Sequence, residues 1–266
     1  MKVSLEQQGD DLCFFLKPEE DDIEHLDRTR IGLAKNEARI NLGGLEIEEI
    51  HPDLIGLTTI LMCHQFIGRE LHLPTSVSER FHEVANSVLS KYKIVSETDS
   101  SLQSNAAPVR SRPGLAFSGG ADSTAALAVM PGNTVPVFMN RPMRENSMYD
   151  SDAPIKNCEL LSQIVYDVRI IDSDLEFLRE PVGFPSDLAH AIPLILLSGE
   201  MGIGSIAFGT ILESAYGIGH EHYIDYPNGS HKRFYGTLLS AAGLDISLPV
   251  GGVSEIGTAK IVEASP

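Results

Sequence analysis

The stretch that decides the fold is Leu115-Ala116-Phe117-Ser118-Gly119-Gly120-Ala121-Asp122-Ser123-Thr124-Ala125-Ala126-Leu127. Its apolar start predicts a buried strand that ends at Ser118, and its second half predicts a helix that begins near Asp122. The two glycines between them allow backbone conformations and close approaches that a side chain would prevent. A strand, a glycine turn and a helix follow one another without an interruption.

The same alternation continues toward the C-terminus. Further strands are predicted at 134–139, 168–171 and 205–209, and further helices at 155–165 and 188–201. Short apolar strands that alternate with helices indicate βαβ units, and therefore a parallel sheet that helices cover on both faces. The fold class predicted for this part of the chain is α/β.

Residues 1–113, which precede this pattern, do not show the regular alternation of strands and helices. Strands are predicted at 10–17, 30–34 and 38–42, and helices at 52–70 and 78–92. Residues 96–113 are polar, small and bounded by prolines, which is typical of a linker. We therefore predict a small α+β N-terminal domain over 1–95, a linker over 96–113 and a larger domain over 114–266.

The loop between the first α/β strand and its helix is a candidate anion site. Free amide groups and the positive end of the helix dipole point into such a loop, and phosphate oxygens are the ligands that fit it best. The hydroxyl groups of Ser118, Ser123 and Thr124 add donors. Asp122 is expected either to accept backbone N–H groups or to help bind Mg²⁺. The loop is not a Walker A motif, because its spacing differs and the lysine is missing.

These residues closely resemble the Ser-Gly-Gly-x-Asp-Ser/Thr signature of the PP-loop ATP pyrophosphatases. That family includes asparagine, argininosuccinate, GMP and NAD synthetases, tRNA thiolation enzymes and deazaguanine nitrile synthases. The resemblance covers roughly residues 114–262 and implies a HUP-like parallel sheet of about five strands. It also implies ATP as the cofactor, held by its β- and γ-phosphates at Ser118, Gly119, Gly120, Ala121, Asp122, Ser123 and Thr124.

The resemblance also implies a reaction. A substrate oxygen would attack the α-phosphorus of ATP, giving an adenylate and pyrophosphate, and a nitrogen or sulfur nucleophile would then displace AMP. Adenine would lie beside Phe138, Met139 and Asn140, with Gly209 and Thr210 at the end of the fourth strand. Asp122 and Glu213 are the candidate Mg²⁺ ligands, although Glu213 also fits a solvated loop acid.

Basic residues are few in this chain, so each one near the site is a candidate. Arg141 and Arg144 follow the second strand and would meet phosphate or a substrate carboxylate, unless they are surface arginines. The family often has a lysine early in the last helix, where this chain has Glu255. We therefore predict that residues 214–237 form a mobile flap whose Lys232 and Arg233 supply the charge, with Arg141 or Lys260 as substitutes.

Three histidines of the same segment leave their role open. His220, His222 and His231 could bind a metal or contact the substrate or a phosphate, or they belong to a plain loop. The zinc-binding cysteines that the deazaguanine nitrile synthases carry near the C-terminus are missing here, which counts against that activity.

The leading prediction is therefore an AMP-forming ligase that activates a small-molecule carbonyl or carboxylate for attack by nitrogen. The alternatives are sulfur transfer, with Cys158 as the carrier, and a nucleotide-binding protein without turnover.

The composition of the chain indicates its cellular compartment and the classes of molecule that it is expected to bind. The net charge is −17 and the pI is about 4.8, which disfavours nucleic-acid substrates because phosphate binding needs a basic surface. Cys13, Cys63 and Cys158 have no disulfide or zinc spacing, and neither a signal peptide nor a membrane span is visible. We expect a cytoplasmic protein with a small-molecule substrate. A homodimer and an ammonia- or sulfur-donor partner stay open.

Overall fold

The computed structural model describes residues 1–142, 150–164, 166–215 and 235–265. Within these ranges the strands are β1 (Lys2–Gln8), β2 (Asp11–Lys17), β3 (Gly32–Leu33), β4 (Glu37–Asn41), β5 (Glu70–His72), β6 (Val77–Ser78), β7 (Lys93–Val95), β8 (Thr98–Asp99), β9 (Arg112–Phe117), β10 (Val135–Asn140), β11 (Arg169–Asp172), β12 (Arg179–Glu180), β13 (Ile203–Phe208) and β14 (Asp245–Ser247). The helices are α1 (Glu20–Leu26), α2 (Pro52–Cys63), α3 (Glu79–Val88), α4 (Ala121–Val129), α5 (Asp152–Ile164), α6 (Ile192–Leu196), α7 (Leu212–Ala215), α8 (Thr237–Ala241) and α9 (Glu255–Ala264).

The second half of the chain forms a parallel sheet with the strand order β11-β10-β9-β13-β14. The chain runs from the central strand β9 outward through β10 to β11, and then returns to the other side of β9 for β13 and β14. The strand order therefore reverses between β9 and β13. Ligands of open α/β sheets bind at the carboxyl ends of the strands beside such a reversal.

Each face of this sheet buries a different layer. Leu115 and Phe117 of β9 point to one face and belong to a core shared with α4, α5 and α9. Ala116, between them in sequence, belongs to the opposite core, because successive side chains of a strand alternate in direction. The predicted α/β class, with five parallel strands and helices on both faces, is confirmed.

The N-terminal half builds its own mixed sheet, in the order β4-β2-β1-β5-β7. The pairs β1–β2 and β2–β4 are antiparallel, and β1–β5 and β5–β7 are parallel. Its helix α2 is buried along nearly its whole length and contacts α6 and α8 of the second half. One continuous apolar core therefore includes residues of both halves, from Phe14 of β2 to Val137 of β10.

Two predicted helices are shorter in the structure. The helix predicted over 188–201 is reduced to a short 3-10 helix, Ala189–Ala191, followed by α6. Pro193 explains the break, because proline fits the first turn of a helix and not its interior. The helix predicted over 52–70 ends at Cys63. Gly68 lies beyond it and packs against the backbone of Asp21, where a Cβ atom would be 2.0 Å from the carbonyl oxygen.

Candidate nucleotide and substrate site

The turn between β9 and α4 depends on Gly119. Its φ angle is +74°, and a Cβ atom placed there would lie 2.7 Å from Cβ and 2.8 Å from Cα of Pro154 in α5. A residue with a side chain would therefore meet both backbone strain and a steric clash. Gly120 has an ordinary φ of −83°, and a Cβ atom placed there would have Ser118 Oγ as its nearest neighbour, at 3.5 Å.

Hydroxyl groups fix the shape of the turn from inside. The amide of Ser118 donates to Ser123 Oγ at 3.3 Å, and the two serine hydroxyl groups are 3.0 Å apart. Thr124 Oγ1 donates to the carbonyl of Gly120 at 2.9 Å. Ser123 is buried, whereas Ser118 and Gly120 are exposed. All three predicted phosphate-binding hydroxyls thus also hold the loop together, and its outer surface is open to solvent.

The first amides of α4 have no hydrogen-bond acceptor among the described residues. The first hydrogen bond of the helix runs from the amide of Thr124 to the carbonyl of Gly120 at 3.0 Å. The amides of Ala121, Asp122 and Ser123 precede it, and among the described residues they have no acceptor. Three N–H groups at the positive end of a helix dipole have the chemistry that phosphate oxygens require.

Both predicted metal ligands form hydrogen bonds with residues at the start of α9. Asp122 Oδ1 accepts a hydrogen bond from Thr258 Oγ1 at 2.7 Å, so the carboxylate contacts a hydroxyl group of α9 where backbone amides were the expected partners. Glu213 Oε1 accepts from the amide of Glu255 at 3.4 Å. The described residues contain no group of three His, Cys, Asp or Glu side chains that could hold a metal ion by themselves. Any Mg²⁺ held by these two carboxylates needs further ligands, and phosphate oxygens are the usual ones.

Gly209 brings β13 against the loop. A Cβ atom at Gly209 would lie 2.7 Å from the amide nitrogen of Ser123 and 2.9 Å from the carbonyl carbon of Asp122. The predicted position after the fourth strand therefore has a packing role, because only glycine lets the end of β13 touch the first turn of α4. Thr210 follows it and is half-buried.

A cavity of about 530 Å³ lies beside the loop, at the carboxyl ends of β9 and β10. Its walls include Ser118 of the loop and three predicted residues of the second strand and its continuation, Phe138, Met139 and Arg141. The volume is within the range of small-molecule sites. The structure thus brings the predicted phosphate loop and the predicted adenine contacts to one place.

Arg141 and Asn140 have partners that the sequence did not predict. The guanidinium group of Arg141 forms an ion pair with the buried Glu176. Asn140 Nδ2 donates to Asp172 Oδ1 at 2.7 Å, while its own Oδ1 is buried without a hydrogen-bond partner in the described part of the chain. The charge of Arg141 is therefore partly compensated before any substrate arrives.

The remaining cavity wall was not found by sequence reasoning. It comes from the connection between β12 and α6 and from the turn after α2, and its residues are Gln65, Arg179, Phe184, Ser186, Asp187 and His190. The ring of His190 lies between the rings of Phe184 and Phe208, with centroid distances of 5.6 and 5.3 Å. In the sequence, the one signal for this part of the wall was Arg179, because an arginine is uncommon in so acidic a chain.

Burial sets the protonation of two groups near the site. The pKa of the Tyr235 phenol is raised by burial and by the nearby charge of Asp187, so the phenol stays protonated at neutral pH. The thiol of Cys158 is 1% exposed, and burial raises its pKa to about 11. Cys158 is therefore a protonated thiol in the core beneath α5.

Several predicted residues lie outside the described ranges, namely Arg144, His220, His222, His231, Lys232 and Arg233, together with most of the 214–237 flap. Arg141 and Lys260, the residues predicted to replace Lys232 and Arg233 if the flap does not supply the charge, both lie within the described ranges. Arg141 lines the cavity, and Lys260 is exposed on α9.

The longest of the described helices, α5, has 13 residues, and none of them combines the length and apolarity that crossing a bilayer requires.

Comparisons with known proteins give little further information. No family model matches the chain, and no curated protein matches it. Among solved structures, the chain is similar to the U34-tRNA thiolase NcsA from Methanococcus maripaludis with its 4Fe–4S cluster, at 16% identity and a TM-score of 0.40. The match covers 71% of this chain and 65% of the thiolase chain, so about a third of that protein has no counterpart here.

Proposed function

We propose that this chain is an AMP-forming enzyme that binds ATP at the Ser118–Thr124 loop and uses it to adenylate a small-molecule carbonyl or carboxylate. The three free amides of Ala121, Asp122 and Ser123, beside a cavity of about 530 Å³, carry this proposal. The loop offers a site for the leaving pyrophosphate, and the cavity offers space for the group that is activated. The enzyme's contribution is positioning and charge neutralisation.

Different residues of the chain are proposed to bind the phosphates, the adenine ring and Mg²⁺. The amides of 121–123 bind the β- and γ-phosphates, and Phe138, Met139 and Asn140 lie where the adenine ring is proposed to bind. Asp122 and Glu213 would hold Mg²⁺ together with the phosphate oxygens, and Mg²⁺ supplies neutralisation of the triphosphate charge. Arg141, Lys232 and Arg233 are the proposed cationic groups for the later steps.

A nitrogen nucleophile is favoured over a sulfur carrier on this chain. Cys158 is the one cysteine of the second half, and its thiol is buried with a pKa of about 11, whereas a sulfur carrier needs an accessible thiolate. We further propose a small molecule rather than a nucleic acid as the substrate, since the net charge is −17. Three buried, free cysteines fit the proposed cytoplasmic location.

Two measurements test the proposal. Titration calorimetry with Mg²⁺ and ATP should show binding that Ser118→Ala and Asp122→Ala weaken, whereas Asp99→Ala, on the exposed strand β8, should bind like the parent. Undiminished affinity in both loop variants would reject the site.

Analysis of the nucleotide products by ³¹P NMR should give AMP and pyrophosphate. ADP and phosphate as the sole products would reject the reaction, and binding without any pyrophosphate release in a broad substrate screen would favour a nucleotide-binding protein without turnover.

A further inference from the structure

Gln65 and Arg179 of the cavity wall each have a buried polar atom without a hydrogen-bond partner in the described part of the chain. Gln65 Oε1 and Arg179 Nε are both shielded from solvent, and within the described residues neither forms a hydrogen bond. Leaving such a group unpaired costs about 1–3 kcal/mol, and more for a charged group. Both residues also line the cavity, and a ligand bound there is one source of the missing hydrogen bonds.

Arg179 is available for an anion. Its Nη1 reaches only the carbonyl of Phe184, at 3.5 Å, and in the described part of the chain no carboxylate lies within ion-pair distance of its guanidinium group. The neighbouring Arg141 differs, because it is paired with Glu176. In a chain with 37 acidic and 20 basic residues, an arginine in a cavity wall without an acidic partner is best explained by an acidic ligand.

The same cavity also presents negative charge. Asp187 lines it, and over the described ranges its carboxylate is in no ion pair, neither with Arg179 nor with another cation. Gln65 Oε1 adds an unpaired acceptor. A cation and an anion that line one cavity without contacting each other are complementary to a ligand that carries both charges.

The remaining wall is apolar. Phe184 contributes its ring, and the ring of His190 lies against it at a tilt of 49°. Such a surface suits an aliphatic or aromatic group, whose burial contributes about 1.5–3 kcal/mol for a side chain the size of leucine or phenylalanine.

We propose that this cavity binds an α-amino acid with an apolar or aromatic side chain. Arg179 binds its carboxylate, Gln65 Oε1 and Asp187 bind its ammonium group, and the aromatic wall binds its side chain. For catalysis the inference rests on the proposed function. The bound carboxylate oxygen attacks the α-phosphorus of ATP, the bond to the β-phosphate breaks, and pyrophosphate leaves with that electron pair to give an aminoacyl-adenylate.

Binding is measured with defined probes. Leucine, isoleucine, valine, methionine, phenylalanine, tyrosine and tryptophan are each titrated into the full chain by calorimetry, in parallel with their amides and their deaminated acids. We expect at least one amino acid to bind about tenfold or more tightly than both of its analogues, because each analogue lacks one charge-assisted hydrogen bond. If none of the seven binds, or if the analogues bind equally well, the inference is wrong.

Variants assign the binding to the cavity. Arg179→Ala and Asp187→Ala should each weaken amino acid binding about tenfold or more, and Arg179→Lys should lose less. Arg110→Ala, at an exposed position outside the cavity, should bind like the parent. If Arg110→Ala loses as much as Arg179→Ala, or if Arg179→Ala loses nothing, the assignment fails.

Binding of Mg²⁺ and ATP, measured on the same samples, separates the two proposals. Unchanged ATP affinity in Arg179→Ala together with lost amino acid binding supports a separate subsite. Equal loss of both would assign Arg179 to the nucleotide and overturn the inference while leaving the proposed function intact. Amino acid binding in a chain that binds no ATP would overturn the proposed function alone.

Discussion

At the scale of single residues, the two adjacent glycines of the loop have different reasons to be glycine. Gly119 has a positive φ and lies against Pro154, whereas Gly120 has an ordinary backbone conformation and an open outer side. The first glycine is therefore required by the fold. The second is required only by whatever approaches the loop from outside, and the two requirements can be separated experimentally.

Gly119→Ala and Gly120→Ala form a matched pair for this purpose. Gly119→Ala should cost about 1–3 kcal/mol or more of unfolding free energy, because the added methyl group meets both strain and a clash. Gly120→Ala should leave the Tm within about 1 °C but weaken ATP binding about tenfold, since the methyl group lies where a phosphate would approach. Calorimetric melting and ATP titration check both. Equal stability of the two variants would contradict the assigned geometry.

A half-buried histidine makes the free energy of unfolding depend on pH. Burial lowers the pKa of His64 to about 4, and its Nδ1 lies 3.0 Å from the Tyr92 hydroxyl group. The unfolded chain binds this proton at about pH 6.5, so stability is complete above that pH and decreases as the pH falls toward 4. The expected loss is about 3 kcal/mol over this interval.

Urea unfolding at several pH values tests the role of His64. Between pH 6.5 and 4, the free energy of unfolding should fall less steeply in His64→Gln than in the parent. The difference in slope is the proton that the His64 imidazole binds on unfolding. The carboxylates titrate in both proteins, so the difference between the two curves isolates the histidine. Parallel curves would show that His64 is not the group responsible.

At the scale of elements, the loop is held by a helix that is distant in the sequence. Asp122 at the start of α4 bonds Thr258 near the start of α9, and the two residues are 136 positions apart. Thr258 is 1% exposed, so water does not replace this bond easily. The helix α9 therefore orients a carboxylate of the proposed Mg²⁺ site.

Thr258→Val should uncouple the two helices with little change in side-chain volume. We expect a loss of about 1 kcal/mol in unfolding free energy and weaker binding of ATP in the presence of Mg²⁺, since Asp122 loses its orienting partner. Thr258→Ser keeps the hydroxyl group and should keep both properties. If Thr258→Val binds Mg²⁺ and ATP as tightly as Thr258→Ser, the contact has no role in the site.

Local sequence signals account for the elements that the sequence predicted well. The β9–α4 unit was predictable because an apolar run, two glycines and a helix start follow one another within 13 residues of sequence, from Leu115 to Leu127. By contrast, β1 has only a weak apolar alternation, and it is a strand because β2 and β5 pair with it. The cavity wall from 179 to 190 was missed because those residues converge through tertiary structure, with little regular secondary structure of their own.

At the scale of the whole molecule, the continuous core predicts that both halves unfold together. Phe14 in β2 and Val137 in β10 belong to the same apolar cluster. Phe14→Leu and Val137→Ala should each cost about 1–3 kcal/mol and shift one common urea transition. Circular dichroism and tyrosine fluorescence, in a chain without tryptophan, should report the same midpoint. If urea unfolding shows two transitions and Phe14→Leu shifts only one of them, the two halves unfold independently. That result would support the domain boundaries predicted from the sequence.

The contact between Asp122 and Thr258 also has a consequence during protein synthesis. A ribosome makes the Ser118–Thr124 loop long before it makes α9, and Gly209, which closes the loop from the side of β13, arrives between the two. A nascent chain that has released only its first 200 residues from the exit tunnel therefore holds the phosphate-binding sequence without the parts that orient it. On the proposed function, such a chain does not consume ATP, and the protein becomes competent only when α9 has been made.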